Sequence, residues 1–191
     1  IGLVPTTYPF LPRHLTLLSF LSIGIPAFFL ALAPSTGPWR ADDYLGNVFR
    51  FALPAGVAAG LGVVSSYLFA LNVVFNDVPV ARTVAVTCLL AISLWLVLVL
   101  EVSGVKRSAW VITLCLAMAG LFVAVLLVAP IRDFFQLTTL GALDVVVAIL
   151  GAVITASGLW MLDRQFRPEP LRGPLPRWMA RFIPVAMRAD D

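Results

Sequence analysis

The first apolar run of the chain holds the polar pattern best suited to chemistry. Ser19 and Ser22 are three residues apart, so a helix would place both hydroxyls on one face. Pro26 follows Ser22 by four residues. Because proline has no N–H and its ring clashes with the carbonyl at position i−4, the Ser22 carbonyl loses its helical donor. Gly24, between them, makes local unwinding easier.

This pattern predicts a metal site at Ser19, Ser22 and Pro26, where Pro26 acts by freeing the Ser22 carbonyl. A carbonyl freed at membrane depth must be buried in protein or line a polar cavity. Interrupted helices supply cation ligands in this way in transporters. The alternative is a structural proline kink, in which a neighbouring Ser or Thr satisfies the freed carbonyl.

Other catalytic and metal chemistries lack the residues they need. Cys88 and Cys115 fall in different apolar runs, without metal-ligand spacing, and His14 is the only histidine. The sequence has no phosphate-binding GxxxxGK[ST] loop and no nucleophile elbow. We therefore expect no catalytic residue and no bound cofactor in this segment. The basic and aromatic residues of the tail point to a membrane, so no nucleic-acid partner is expected.

Composition places the chain in a lipid bilayer. Of its 191 residues 61% are hydrophobic and 12% are charged, with a mean hydropathy of +1.00, which is more apolar than soluble domains are. A helix crosses the ~30 Å hydrocarbon core in about 20 residues. Five runs without strand alternation have about that length, which predicts an all-α integral membrane fold, a bundle of five transmembrane helices. The runs are residues 15–33, 52–75, 83–100, 110–129 and 140–162.

The basic residues predict the orientation of these helices. Five spans place alternate connections on opposite sides of the membrane, and ten of the 13 Lys and Arg residues fall on the side of the C-terminal tail. The positive-inside rule then makes residues 163–191 a basic cytoplasmic tail and residues 1–14 an extracytoplasmic lead. We expect a multi-pass protein of the cell membrane.

Small residues repeat at four-residue spacing in two of the runs. Gly56 and Gly60 form a GxxxG pattern, and Ala148, Ala152 and Ala156 repeat in the last run. Small residues so placed allow helix backbones to approach closely, which predicts helix–helix contacts. The alternative is chance in a chain rich in glycine and alanine.

Acidic residues of the apolar runs lie near the membrane edges. Asp144 falls near the outer end of the last run, and Arg132 in the preceding connection is its expected ion-pair partner. Because a charge costs far less near the edge than at the membrane centre, we expect a structural role for Asp144.

The lead and the first run resemble a known family. Tyr8-Pro-Phe-Leu-Pro-Arg-His-Leu-Thr-Leu17, followed by Ile23-Gly-Ile-Pro-Ala27, is similar to the M5–M6 loop and M6 helix of bacterial P-type cation-transporting ATPases, of the calcium/magnesium type found in actinobacteria. In that family M6 begins outside, runs inward and is followed by four more helices. The resemblance implies that the five spans are M6 to M10. It also implies that the chain, which begins with Ile1, is a piece of a longer pump.

The resemblance further implies an ATP-driven pump for a divalent cation, with Ca²⁺ as the first candidate. The cofactors of the parent protein would be Mg²⁺ and ATP. Its remaining helices, its cytoplasmic domains and the lipid bilayer would be the partners of this segment. Many calcium pumps carry Asn-x-x-Thr-Asp-Gly-x-Pro in M6, where this chain has Ser19, Ser22 and Ile23 before Gly24 and Pro26. The acidic ligand is absent, so carboxylates would have to come from M4 and M5.

Two other functions stay open. The chain could be a stand-alone five-helix carrier or assembly subunit without ATPase activity, which fits the lack of central charges. An Asp-Lys-Thr-Gly-Thr motif encoded several hundred residues upstream would favour the pump, and a start codon immediately upstream would exclude it. A membrane-embedded enzyme is the third alternative, and it would need convergent His, Asp or Glu residues that the runs do not supply.

Overall fold

All regular structure in the described part of the chain is helical, as predicted. A computed structural model describes residues 8–32, 44–75, 77–102 and 109–162, so residues 1–7 of the lead and the whole predicted tail, 163–191, lie outside the described residues. The α-helices are α1 (Pro12–Ser19), α2 (Ile25–Leu32), α3 (Tyr44–Phe69), α4 (Val78–Val102), α5 (Ala109–Leu127), α6 (Ala129–Phe135) and α7 (Ala142–Leu162). Two π-helical turns occur, at Phe20–Gly24 and Ala70–Phe75.

Proline and a left-handed residue set several of the helix ends. Pro12 opens α1 and Pro130 lies in the first turn of α6, where a missing N–H costs nothing. Gln136 ends α6 in the left-handed conformation, with a φ of 53°, and its N–H donates to the carbonyls of Arg132 and Asp133. The short helix α6 lies in the connection between the fourth and fifth predicted spans.

Four helices of the described chain are long and apolar enough to cross a membrane. These spans are Val48–Val73, Val78–Leu100, Trp110–Leu127 and Ala142–Met161. The first predicted span, 15–33, falls on the interrupted stretch formed by α1, the π-helical turn and α2. The prediction of an all-α fold is therefore confirmed, with four candidate membrane spans among the described residues, while the count of five and the orientation stay predictions.

Helix α4 lies at the centre of the bundle. On one side, Leu90 of α4 belongs to a core that includes Leu21 of the first π-helical turn and Leu114 of α5. On the other side, Ala85 of α4 belongs to a core with Tyr67 of α3 and residues of α7. The first helical stretch and the α3–α7 pair therefore pack on opposite sides of α4.

Helices α3 and α7 are in close contact through two glycine–hydroxyl pairs. Thr155 packs on Gly62, and Ser66 packs on Gly151. The Ser66 Oγ donates to the Gly62 carbonyl at 2.8 Å, and the Thr155 Oγ1 donates to the Gly151 carbonyl at 2.8 Å. Because the residue numbers run in opposite directions along the contact, the two helices are antiparallel.

The predicted small-residue contacts are found in one helix and not in the other. Ala148 and Ala152 of α7 are buried in the core with α3 and α4, which confirms their packing role. A methyl group at Gly56 or Gly60 would meet nothing within 4 Å among the described residues beyond its own helix backbone. In α3 it is Gly62, outside the GxxxG pattern, that makes the close contact.

Candidate functional site

The first helical stretch is interrupted by the five-residue π-helical turn Phe20–Gly24, which joins the end of α1 to the start of α2. The Ile25 N–H donates to the Phe20 carbonyl, whereas in an α-helix it would donate to the Leu21 carbonyl four residues back. Pro26 has no N–H for the Ser22 carbonyl. Two consecutive carbonyls, those of Leu21 and Ser22, therefore lose their α-helical donors.

The three predicted site residues have different surroundings. Pro26 is buried, and Ser22 is partly buried with its Oγ donating to the Leu18 carbonyl at 2.7 Å. That bond uses the hydroxyl proton and leaves oxygen lone pairs for a cation. Ser19 is exposed and lines a shallow depression to which Ser22 does not contribute.

The depression lies on the outer side of the first helical stretch. Its volume is about 560 Å³, and it is lined by Leu15, Thr16, Ser19, Phe20, Ile23 and Gly24. Among these side chains, those of Thr16 and Ser19 carry an oxygen atom that could ligate a cation. The Thr16 Oγ1 donates to the Pro12 carbonyl at 3.2 Å. Calcium takes six to eight oxygen ligands, several of them carboxylates. The two hydroxyls of the depression therefore fall short of the ligand set that calcium takes.

Two oxygen-bearing groups of this region were missed by the sequence-based prediction. Thr16 precedes Ser19 by three residues, so its place on the same face was visible in the spacing. The Leu21 carbonyl is freed by the π-helical turn, for which residue spacing gives no signal. In the described part of the chain, no group of three or more His, Cys, Asp or Glu residues could hold a metal ion.

Two side chains at the start of α1 bind the C-terminal end of α6. The Arg13 Nη1 donates to the Phe134 carbonyl at 2.6 Å, and the His14 Nε2 lies 2.9 Å from the Phe135 carbonyl. The Leu11 N–H donates to the His14 Nδ1 at 3.3 Å. Since Nδ1 accepts a bond, the ring proton belongs on Nε2, where it is donated to the Phe135 carbonyl. We call this set the α1–α6 contact.

The electrostatics of the α1–α6 contact favour a neutral histidine. Burial lowers the pKa of His14, and the positive charges of Arg82 and Arg13 lower it further, while the hydrogen bond to the Phe135 carbonyl opposes the shift. A neutral ring with both nitrogens engaged orients the first helical stretch without acting as a metal ligand.

The predicted ion pair between Asp144 and Arg132 is wrong. The Asp144 Oδ2 accepts the Gly141 N–H at 2.6 Å, and the Arg132 Nε lies 3.4 Å from the Asp133 Oδ1. The first turn of a helix has free N–H groups and a positive partial charge that stabilise a carboxylate. Asp144, buried in the first turn of α7, takes this local partner in preference to a residue of another segment.

Similarity to known proteins covers most of the chain. The chain is 29% identical to the calcium-transporting ATPase CtpE of Mycobacterium bovis over 174 residues, which are 87% of the chain and 21% of that protein. It is 33% identical to CtpE of Mycolicibacterium smegmatis over 140 residues, 71% of the chain and 17% of that protein. The resemblance to bacterial P-type cation-transporting ATPases is confirmed. The chain spans about a fifth of the length of these curated relatives.

No protein-family model and no solved structure matches the chain. The relatives and the four membrane-crossing helices together confirm a multi-pass protein of the cell membrane.

Proposed function

We propose that this chain is the C-terminal membrane part, M6 to M10, of an ATP-driven pump for a divalent cation, with calcium as the first candidate. The observation that carries the proposal is the similarity of 87% of the chain to a calcium-transporting ATPase of which it covers only 21%. ATP and Mg²⁺ would bind to cytoplasmic domains of the parent protein, outside this segment.

The interrupted first stretch supplies the fifth span of this arrangement. From Leu15 to Leu32 the stretch is about 27 Å long at a rise of 1.5 Å per residue, which is close to the ~30 Å hydrocarbon thickness of a bilayer. By the positive-inside rule, its start would lie outside and the basic tail in the cytoplasm.

In the proposed pump the first stretch contributes neutral oxygens to the cation path. Ser19, Ser22 and the carbonyls of Leu21 and Ser22 lie within one turn of each other at the π-helical interruption. Such turns occur frequently at functional sites, because the extra residue frees backbone groups. Neutral oxygens bind a divalent cation less strongly than carboxylates do, so the parent's other helices would have to supply the charged ligands.

The exposed faces of the segment support packing against further helices of the parent. Phe20 and Ile23 beside the depression are 63% and 66% exposed. Without a covering helix, the Ser19 hydroxyl at the depression would face hydrocarbon, which is costly. We propose that parent helices cover the depression.

The test uses the natural full-length protein. It is reconstituted in vesicles, and ATP hydrolysis and ⁴⁵Ca²⁺ uptake are measured with and without calcium. We expect calcium-stimulated hydrolysis coupled to uptake, both abolished by asparagine in place of the aspartate of an upstream Asp-Lys-Thr-Gly-Thr motif. A reading frame that starts just before Ile1, with no ATP hydrolysis, would instead identify a stand-alone membrane carrier or assembly subunit.

A further inference from the structure

A groove of about 600 Å³ runs between α3 and α7 on the side that faces away from α4. Its floor includes Gly62 and Gly151, where the two helices are in contact. Its rims include Leu61 of α3 and Ile154 of α7, which are 65% and 69% exposed. Because α3 and α7 each contain a candidate membrane span, the groove opens toward the hydrocarbon of the bilayer.

The chemistry of the lining fits a hydrocarbon ligand. All lining residues are uncharged. The hydroxyls of Ser66 and Thr155 already donate to carbonyls of their own helices, so neither proton is available to a ligand. A charged or strongly polar group would lose its hydration here and would gain at most the Ser65 hydroxyl as a partner. An alkyl chain has no hydration to lose on entering, and it gains close contacts with the floor.

The dimensions of the groove fit a single alkyl chain better than a helix. On α3 the lining extends from Ala58 to Phe69, about 17 Å at 1.5 Å per residue. A volume of about 600 Å³ over that length gives a mean cross-section of about 35 Å². A helix 10–12 Å across has a cross-section of roughly 80–110 Å². An alkyl chain, whose carbons approach neighbours to about 4 Å, needs roughly 20 Å².

Protein partners fit the groove less well. Its mouth is about 17 Å long and, between two packed helices whose axes lie about 8–10 Å apart, offers at most roughly 170 Å², whereas a specific protein interface buries about 800 Å² per partner. The depression proposed to face the parent's helices lies on the first helical stretch, which packs with α4 and α5. The groove lies on the opposite side of α4, so helices covering the depression leave it open to lipid.

We propose that the α3–α7 groove binds one acyl chain of a membrane phospholipid. The proposal rests on α3 and α7 crossing the membrane and does not depend on ATP-driven transport. The bound acyl chain would contact both helices. It would therefore stabilise the packing of α3 against α7 outside the region of the glycine–hydroxyl pairs.

The experiment maps lipid contacts by photocrosslinking. The natural full-length protein is reconstituted in phosphatidylcholine vesicles containing a trace of phosphatidylcholine with a diazirine midway along one acyl chain, and adducts are located by mass spectrometry. We expect about fivefold more adducts on Leu61 and Ile154 than on Leu116 and Leu121, two exposed residues of α5 outside the groove. A fivefold preference corresponds to about 1 kcal/mol.

Filling the groove provides the matched test. A methyl group at Gly158, in the groove lining, or at Gly120, in α5, would meet nothing within 4 Å beyond its own helix backbone. Gly158→Leu should reduce the adducts on Leu61 and Ile154 about fivefold, to the α5 level, whereas Gly120→Leu should leave them unchanged. Ser65→Leu, which fills the groove from α3, provides a second variant if Gly158→Leu does not fold.

Three results would overturn the proposal. The first is equal labelling of the groove and of α5 in the unmodified protein. The second is undiminished groove labelling in the folded filling variants. The third is crosslinking of the groove residues to another helix of the protein or to a second copy, without lipid adducts. Each can be obtained whether or not the protein hydrolyses ATP, so the proposed function and the lipid site are tested separately.

Discussion

The contact between Gly62 of α3 and Thr155 of α7 leads to the sharpest stability prediction. In Gly62→Ala, the new methyl group would clash with the Thr155 hydroxyl and lie only 3.0 Å from the Thr155 Cβ and 3.1 Å from its Cγ2. Non-bonded carbons prefer about 3.5–4.0 Å. The Thr155 side chain is held by its hydrogen bond to the Gly151 carbonyl, so the two helices must move apart.

The magnitude follows from comparing two glycines of the same helix. Overpacking of this kind costs about 1–3 kcal/mol of unfolding free energy. At Gly60 a methyl group meets nothing within 4 Å beyond its own helix backbone, so Gly60→Ala should gain about 0.5–1 kcal/mol from the better helix propensity of alanine. Gly62→Ala gains the same helix propensity, so the two alanine variants should differ in unfolding free energy by the overpacking cost alone, about 1–3 kcal/mol, with Gly62→Ala the less stable.

The assay is reversible unfolding in mixed micelles with increasing sodium dodecyl sulfate, followed by circular dichroism. Thr155→Ala combined with Gly62→Ala removes the obstacle, so the double variant should recover about 1 kcal/mol or more relative to the sum of the single changes. Equal stability of Gly62→Ala and Gly60→Ala, within about 0.5 kcal/mol, would refute the close antiparallel contact of α3 and α7.

Two further predictions concern the end of the bundle at which α1 contacts α6. Because the pKa of His14 is lower in the folded protein than in the unfolded chain, its stabilising contribution is present above the unfolded pKa and is lost as pH falls through the folded value. The thermal midpoint should fall on acidification below about pH 6.5 more steeply than in His14→Gln, which lacks the titrating group; parallel profiles would contradict this. Asp144→Asn should reduce the unfolding free energy by about 1 kcal/mol through the weakened cap. Asp133→Asn, at the exposed pair with Arg132, should change it by no more than about 0.5 kcal/mol, and equal effects would exclude the capping role.

Sequence patterns predicted the membrane helices well because the bilayer itself imposes the required length and hydropathy. The loss of the Ser22 donor could likewise be inferred, since it depends only on the chemistry of Pro26. The π-helical turn could not, because it shifts the hydrogen-bond register by one residue through a balance of packing along the whole stretch. That shift is what adds the Leu21 carbonyl to the candidate site.

Side-chain contacts between helices were predicted less well, because they depend on how each helix is rotated. Gly56 and Gly60 have the expected spacing, yet the rotation of α3 turns Gly62 toward α7 instead. The same spacing pattern in Gly62-x-x-x-Ser66 and Gly151-x-x-x-Thr155 becomes meaningful only once the two segments are known to be antiparallel neighbours. The partner of Asp144 was likewise not predicted. Its carboxylate accepts the N–H of Gly141, three residues away along the chain, and not a hydrogen bond from Arg132.

The central claim is that the interrupted first stretch forms part of a cation path. Its most direct test is the calcium dependence of ⁴⁵Ca²⁺ uptake by the natural full-length protein with Pro26→Ala, Ser22→Ala or Ser93→Ala. Pro26→Ala restores the missing N–H, so the Ser22 carbonyl regains a helical donor. Ser93 is the matched control, since its Oγ donates to the Leu89 carbonyl at 2.7 Å, as the Ser22 Oγ does to the Leu18 carbonyl at 2.7 Å, but in α4.

The expected result is a loss of apparent calcium affinity of about tenfold, or about 1.4 kcal/mol, in Pro26→Ala. Ser22→Ala should show a smaller loss, and Ser93→Ala should show none. Unchanged uptake and unchanged affinity in both Pro26→Ala and Ser22→Ala would contradict the account and leave the proline as a structural kink.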